Sequence, residues 1–218
     1  MSAPILVNDL GRMAYQQAWD LQEQAHQSVL AGGPETIFIV EHPPVITLGR
    51  REESIQNLIT TPEDLARQNI ELVHSDRGGD ITYHGPGQIV AYPIIRLAQH
   101  HLSVSGYVHR LEAIAISTLA ELGIEARDDP QAIGVWTVDG ENLAKICAIG
   151  VRIRRGISLH GLALNVSTNL SGFNHIIPCG LTGRPVTSIH KILGNDAPSL
   201  LETKQILIRH LIESLRLD

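Results

Sequence analysis

The stretch "KICAIGVRIRRGISLHGLALNV", Lys145 to Val166, decides the fold class. It holds the greater part of two long, glycine-interrupted, mostly apolar strand runs, "LAKICAIGVRI" and "ISLHGLALNV". A third run, "AIGVWTV" (Ala132–Val138), precedes them with no helix pattern between. Further strands are expected from "TIFIVEHPPVITLG", split by Pro43 and Pro44, from "IELVHS" and from "QIVAYPII". Helices are expected over "RMAYQQAWDLQEQAHQSVLAGG", where Met13, Ala14, Ala18, Leu21, Ala25 and Val29 fall at helical spacing, and over "SVSGYVHRLEAIAISTLAELG", stopped by Gly123. A short one starts at "TPEDLARQNI" with Thr61 as cap and Pro62 at its first position, and "LLETKQILIRHLIESLRL" closes the chain. Strand runs and helices are mixed rather than strictly alternating. The expected class is α+β with a largely antiparallel or mixed sheet and flanking helices, in one domain over residues 1–218.

The chain has 218 residues, 43% hydrophobic and only 4% aromatic, so aliphatic side chains carry the packing. A net charge of −6 argues against nucleic-acid binding, which needs a dominant basic surface. "MSAPILVNDLGRMAY" lacks the basic and apolar regions of a signal peptide, and no apolar run approaches the roughly 20 residues that span a bilayer. The expectation is a cytoplasmic protein without membrane contact, with Cys147 and Cys179 as free thiols. There is no GxxxxGK[ST] phosphate loop, no complete GxGxxG, no HExxH and no GxSxG. Eleven histidines are scattered along the chain, and no metal site or cofactor is expected.

Three places could carry chemistry. "SDRGGDITYHGPGQIVAYPI", Ser75–Ile94, crowds Arg77, Tyr83 and His84 around glycines that admit positive φ and close backbone approach. It reads as a tight turn or as a pocket wall. Cys179, in "IIPCGLTG", sits between Pro178 and Gly180, hence on an irregular loop. It is a buried structural thiol or a nucleophile with open backbone N–H groups beside it. Cys147, among apolar neighbours, fits the structural role better. Lys145 opens an apolar strand, as a surface lysine or as a buried group facing a pocket. Beside a thiol, an ammonium stabilises the thiolate and lowers its pKa from about 8.5. A thiolate nucleophile with a lysine acid/base describes acyl transfer through a thioester, which needs no nucleotide.

Together, "RGGDITYHGPGQ", "KICAIGVRIRRGISLHGLALNV" and "IIPCG" followed by "SI" resemble the lipoyl(octanoyl) transferase family, from about Glu41 to Ile189. The resemblance implies the α+β catalytic domain shared with lipoate and biotin protein ligases. It implies transfer of an octanoyl group from octanoyl-acyl carrier protein to a lysine of lipoyl domains, those of 2-oxoacid dehydrogenases and of the glycine cleavage H protein. By resemblance Cys179 carries the acyl group and Lys145 tunes it. Arg77, Gly78, Gly79, Asp80, Ile81, Thr82, Tyr83 and His84 line the acyl pocket, with Tyr83 and His84 at its polar mouth. Ala148, Ile149, Gly150, Gly161, Leu162 and Ala163 stand opposite. Arg152, Arg154 and Arg155 would form a local basic patch that steers acidic partner proteins. Between Asp128 and Asn142 the chain departs from the family pattern, with extra residues expected to lengthen a hairpin. Two rivals share the scaffold: an ATP-dependent lipoate or biotin ligase, suggested by "LGRREESIQNL" but needing no cysteine, and a non-catalytic acyl-binding regulator.

Overall fold

The structure, a computed structural model, describes residues 5–177 and 184–216. Its larger sheet has seven strands, in spatial order β1 (Leu6–Arg12), β2 (Thr36–Glu41), β6 (Gln88–Ile94), β10 (Ile157–Asn165), β9 (Asn142–Arg154), β8 (Val135–Asp139) and β7 (Ala126–Asp128). Only β1 and β2 run parallel; every other neighbouring pair is antiparallel. A smaller sheet sets β3 (Val45–Leu48) between a parallel β4 (Glu71–His74) and an antiparallel β5 (Thr82–His84). The long runs of the opening stretch become β9 and β10, paired from Ile157 against Arg154 to Leu164 against Cys147.

Strand alternation sorts the larger sheet's side chains into two apolar layers. Ile89, Ala91, Leu162 and Leu164 face α3 (Val104–Glu121) and α5 (Leu200–Leu215), which contribute Leu111, Ile114, Leu119, Leu207 and Leu211. Val90, Tyr92, Leu159 and Ala163 face the other way, where α1 (Tyr15–Leu30) lays down Ala18 and Val29. A third cluster under the smaller sheet gathers Ile46, Leu48, Tyr83 and Phe173 with Leu65 of α2 (Pro62–Arg67).

The caps follow their residue types. Thr61 accepts from the Asp64 N–H at the start of α2, and Ser199 with Glu202 closes a capping box on α5. β1, β5, β7 and α4 (Ile189–Leu193) carry no clear pattern in the sequence. β1 is a largely exposed edge strand with Asn8, Asp9 and Gly11 in it, and β5 and β7 have three residues each. Within Asp128–Asn142, residues 129–134 join the antiparallel β7 and β8, and β8 and β9 meet at a two-residue turn, with Asp139 paired to Asn142. Among the described residues no helix is long and apolar enough to cross a membrane.

Candidate active site

A predominantly apolar cavity, about 510 Å³ of space including its opening, lies between β5 with its preceding loop and the α1 side of the larger sheet. Arg77, Gly79, Asp80, Ile81, Thr82 and His84 line one wall, and Ala148, Ile149, Gly150, Gly161, Leu162 and Ala163 line the wall opposite. Lys145 borders the same space.

A register shift aims Lys145. Val135 pairs with Cys147 but Trp136 pairs with Lys145, so Ile146 is an extra residue on β9. Ile146 and Cys147 therefore both enter the apolar layer under α3 and α5, and Lys145 turns to the cavity side. Without that bulge, period-two alternation would place Lys145 on the face of Cys147. The Lys145 ammonium donates to the Ile133 carbonyl at 3.1 Å and sits 4.7 Å from the centre of the Trp136 ring. Its backbone pairs with a segment a few residues past Cys179 in the sequence: Lys145 N–H donates to Pro185 O and Thr187 N–H to Lys145 O, both at 2.9 Å. Cys179 itself lies outside the described residues. Cys147 is fully buried, and burial pushes its thiol up to about 12, so it stays protonated and inert.

Two residues expected on the wall are placed differently. β5 alternates, so Thr82 and His84 reach the cavity while Tyr83 points into the smaller sheet's core, edge-on to Phe173 with ring centres 5.4 Å apart. Tyr83 is therefore no part of a polar mouth. Nor is His84, which is 6% exposed and stacks on Tyr15. Gly78 borders a neighbouring hollow with Arg51, Gln131, Ile133 and Lys145. Its N–H donates to Val151 O at 2.9 Å, and a Cβ on Gly150 would stand 2.8 Å from Gly78 O. The glycines here let two backbones meet. Arg77 is buried, donating through Nη2 to Thr47 O at 2.6 Å and through Nε to Thr47 Oγ1 at 3.1 Å. Of the expected basic patch, Arg154 pairs with Glu23, Arg152 lies 3.9 Å from Asp76, and Arg155 is exposed.

The fold also gathers residues that sequence spacing does not connect. Tyr15, Val90, Tyr92 and His160 line the cavity with His84, and His42 packs behind them, its ring 5.3 Å from Tyr15 and 5.7 Å from His84. His42 Nε2 and Tyr92 Oη are 2.8 Å apart, His84 Nδ1 and Gln88 Oε1 2.7 Å. Burial lowers His42 to about 4 and His84 to about 3, and lowers His160 against the opposing pull of Asp76. All three imidazoles are neutral at pH 7. They suit an apolar ligand rather than an anion; both ring nitrogens of His42 and of His160 are engaged with protein partners, as is Nδ1 of His84. The one sequence signal was His160, inside the long strand motif and directly before Gly161.

A largely apolar cavity bordered by a buried lysine, on a seven-stranded mixed sheet flanked by helices, defines a protein with an apolar pocket beside a basic group. Residues 14–212 match the family described as "Lipoyl protein ligase A/B catalytic domain". The octanoyltransferase of Chloroflexus aurantiacus is 44% identical over 98% of this chain and 95% of its own length; that of Syntrophobacter fumaroxidans is 45% identical over 86% and 81%. A crystal structure of lipoate-protein ligase A bound with ATP superposes with a TM-score of 0.77 at 17% identity, covering 100% of this chain and 87% of that one. The chain belongs to the lipoyl protein ligase A/B catalytic-domain family, on its octanoyltransferase branch.

Proposed function

We propose that this protein transfers an octanoyl group from octanoyl-acyl carrier protein to a lysine of lipoyl domains, through a thioester on Cys179, in the cytoplasm. The Cys179 thiolate attacks the donor thioester carbonyl and expels the donor thiol, which takes up a proton. The acceptor amine then attacks the Cys179 thioester, forming the amide and releasing the thiolate, while the nitrogen gives up a proton. Lys145 stabilises the thiolate and relays these protons. The eight-carbon chain lies between the Arg77–His84 wall and the Ala148–Gly150 and Gly161–Ala163 strands.

One observation carries this reading. The apolar cavity is bordered by Lys145, and the backbone of Lys145 is paired to Pro185–Thr187, which follow Cys179 closely in the sequence. The test is intact-protein mass spectrometry after incubation with octanoyl-acyl carrier protein, without ATP or acceptor. The expected result is an octanoyl adduct removed by hydroxylamine, absent in Cys179→Ser and retained in Cys147→Ser. Acylation of a lipoyl domain only from free octanoate with ATP would make the protein a ligase and Cys179 a structural thiol.

A further inference from the structure

The acyl cavity is separated from an outer groove by a partition one pair of side chains thick. Tyr15 and His160 line the cavity. Trp19, Ser75 and Asp76 line the groove, about 970 Å³ of largely open space on the far side. Two hydrogen bonds cross between them: Tyr15 Oη to Ser75 Oγ at 2.9 Å and His160 Nε2 to Asp76 Oδ1 at 2.8 Å. Trp19 closes the gap, its ring centre 5.7 Å from His160 and 6.2 Å from Tyr15.

The partition is held in place at some cost. His160 adopts φ +58° within β10, a conformation that side-chain-bearing residues rarely take. Its N–H is secured by Gln22 Oε1 at 2.8 Å, from the buried face of α1. On β9 the partner of His160 is Val151, six residues beyond Lys145. With Ile146 an extra residue in the bulge, about five steps of about 3.3 Å put the partition roughly 17 Å along the strand from the base of Lys145. The two side chains at either end take up part of that span.

We propose that the Tyr15–Ser75 and His160–Asp76 pairs, backed by Trp19, are the stop that sets the length of acyl chain this protein accepts, and that the groove behind them is space a longer chain would enter if the stop were cut away. This rests on the reading of the cavity as the acyl site. The donors are octanoyl-, dodecanoyl- and hexadecanoyl-acyl carrier protein, and the readout is the ratio of kcat/KM between chain lengths. The wild type is measured first: failure to transfer octanoyl would sink the functional reading, not the stop. With octanoyl transfer in hand, Tyr15→Ala and Trp19→Ala should raise dodecanoyl relative to octanoyl by about tenfold or more, while Tyr15→Phe, which keeps the ring, should leave the ratio near wild type. Folded variants with wild-type ratios would overturn the proposal. Unmodified protein supplies a second arm that needs no variant. An octanoyl donor carrying a photoreactive diazirine at its last carbon should label the peptides holding Tyr15 or His160, and labelling confined to other peptides would equally overturn it.

Discussion

His84 and His42 show what burial does to a titratable side chain. Each has a folded-state pKa, about 3 and about 4, well below the 6.5 of an exposed imidazole, because burial disfavours the charged ring. The unfolded chain therefore binds more protons than the folded one between pH 6.5 and those values. The sign follows: their contribution to stability is complete above about pH 6.5 and is lost as the pH falls. Each histidine costs on the order of 1 kcal/mol per pH unit in that window. Urea denaturation at pH 7, 6 and 5 should show the midpoint falling, and His84→Gln should make that fall shallower. Parallel falls in wild type and variant would mean that His84 is not held neutral by its surroundings.

At the scale of the element, β9 does two jobs with one irregularity and one glycine. The bulge at Ile146 sends Lys145 to the cavity while leaving Cys147 in the apolar layer. Further along, Gly150 lets the Arg77–Gly79 loop lie directly on the strand, with Gly78 N–H bonded to Val151 O. An alanine Cβ at Gly150 would meet the Gly78 carbonyl oxygen at 2.8 Å, and a backbone oxygen does not swing aside as a flexible side chain would. Gly150→Ala should cost about 2 kcal/mol by overpacking. It should also displace the wall formed by the loop, so octanoyl transfer should fall further than the loss of folded protein explains. Denaturant titration beside activity on the same sample checks both, and an unchanged midpoint would show that the two backbones have room to spare.

For the whole molecule, the cavity is shared between the smaller sheet, through Thr82 and His84, and the larger one, through Val90, Ala148 and Ala163. A chain lying there ties the two sheets together. Binding to the folded state alone stabilises it by about 2.7 kcal/mol at one hundred times the dissociation constant. A non-transferable octanoyl-pantetheine amide should therefore raise the melting temperature, and the hexadecanoyl amide should do so much less. Equal shifts would argue against a closed slot matched to a short chain. The family and the sheet class were legible because they rest on local signals, long apolar runs, caps and unbroken motifs; of the expected wall residues, Gly78 and Tyr83 do not line the cavity.

What the sequence by itself determined is the longer helices and strands and the residue types that can do acyl chemistry, because helix and strand periodicity and the placement of glycine, proline and lysine act over a few residues. What only the tertiary structure decided is where side chains distant in sequence meet. Tyr15, His42, Tyr92 and His160 come from four separate elements or loops, and nothing in their spacing joins them. Tyr83 was lost to the smaller sheet's core because a three-residue strand alternates its faces, and Lys145 was turned by a bulge that period-two reading cannot see. Each depends on strand register and sheet stacking, which are settled by long-range burial rather than by neighbours along the chain.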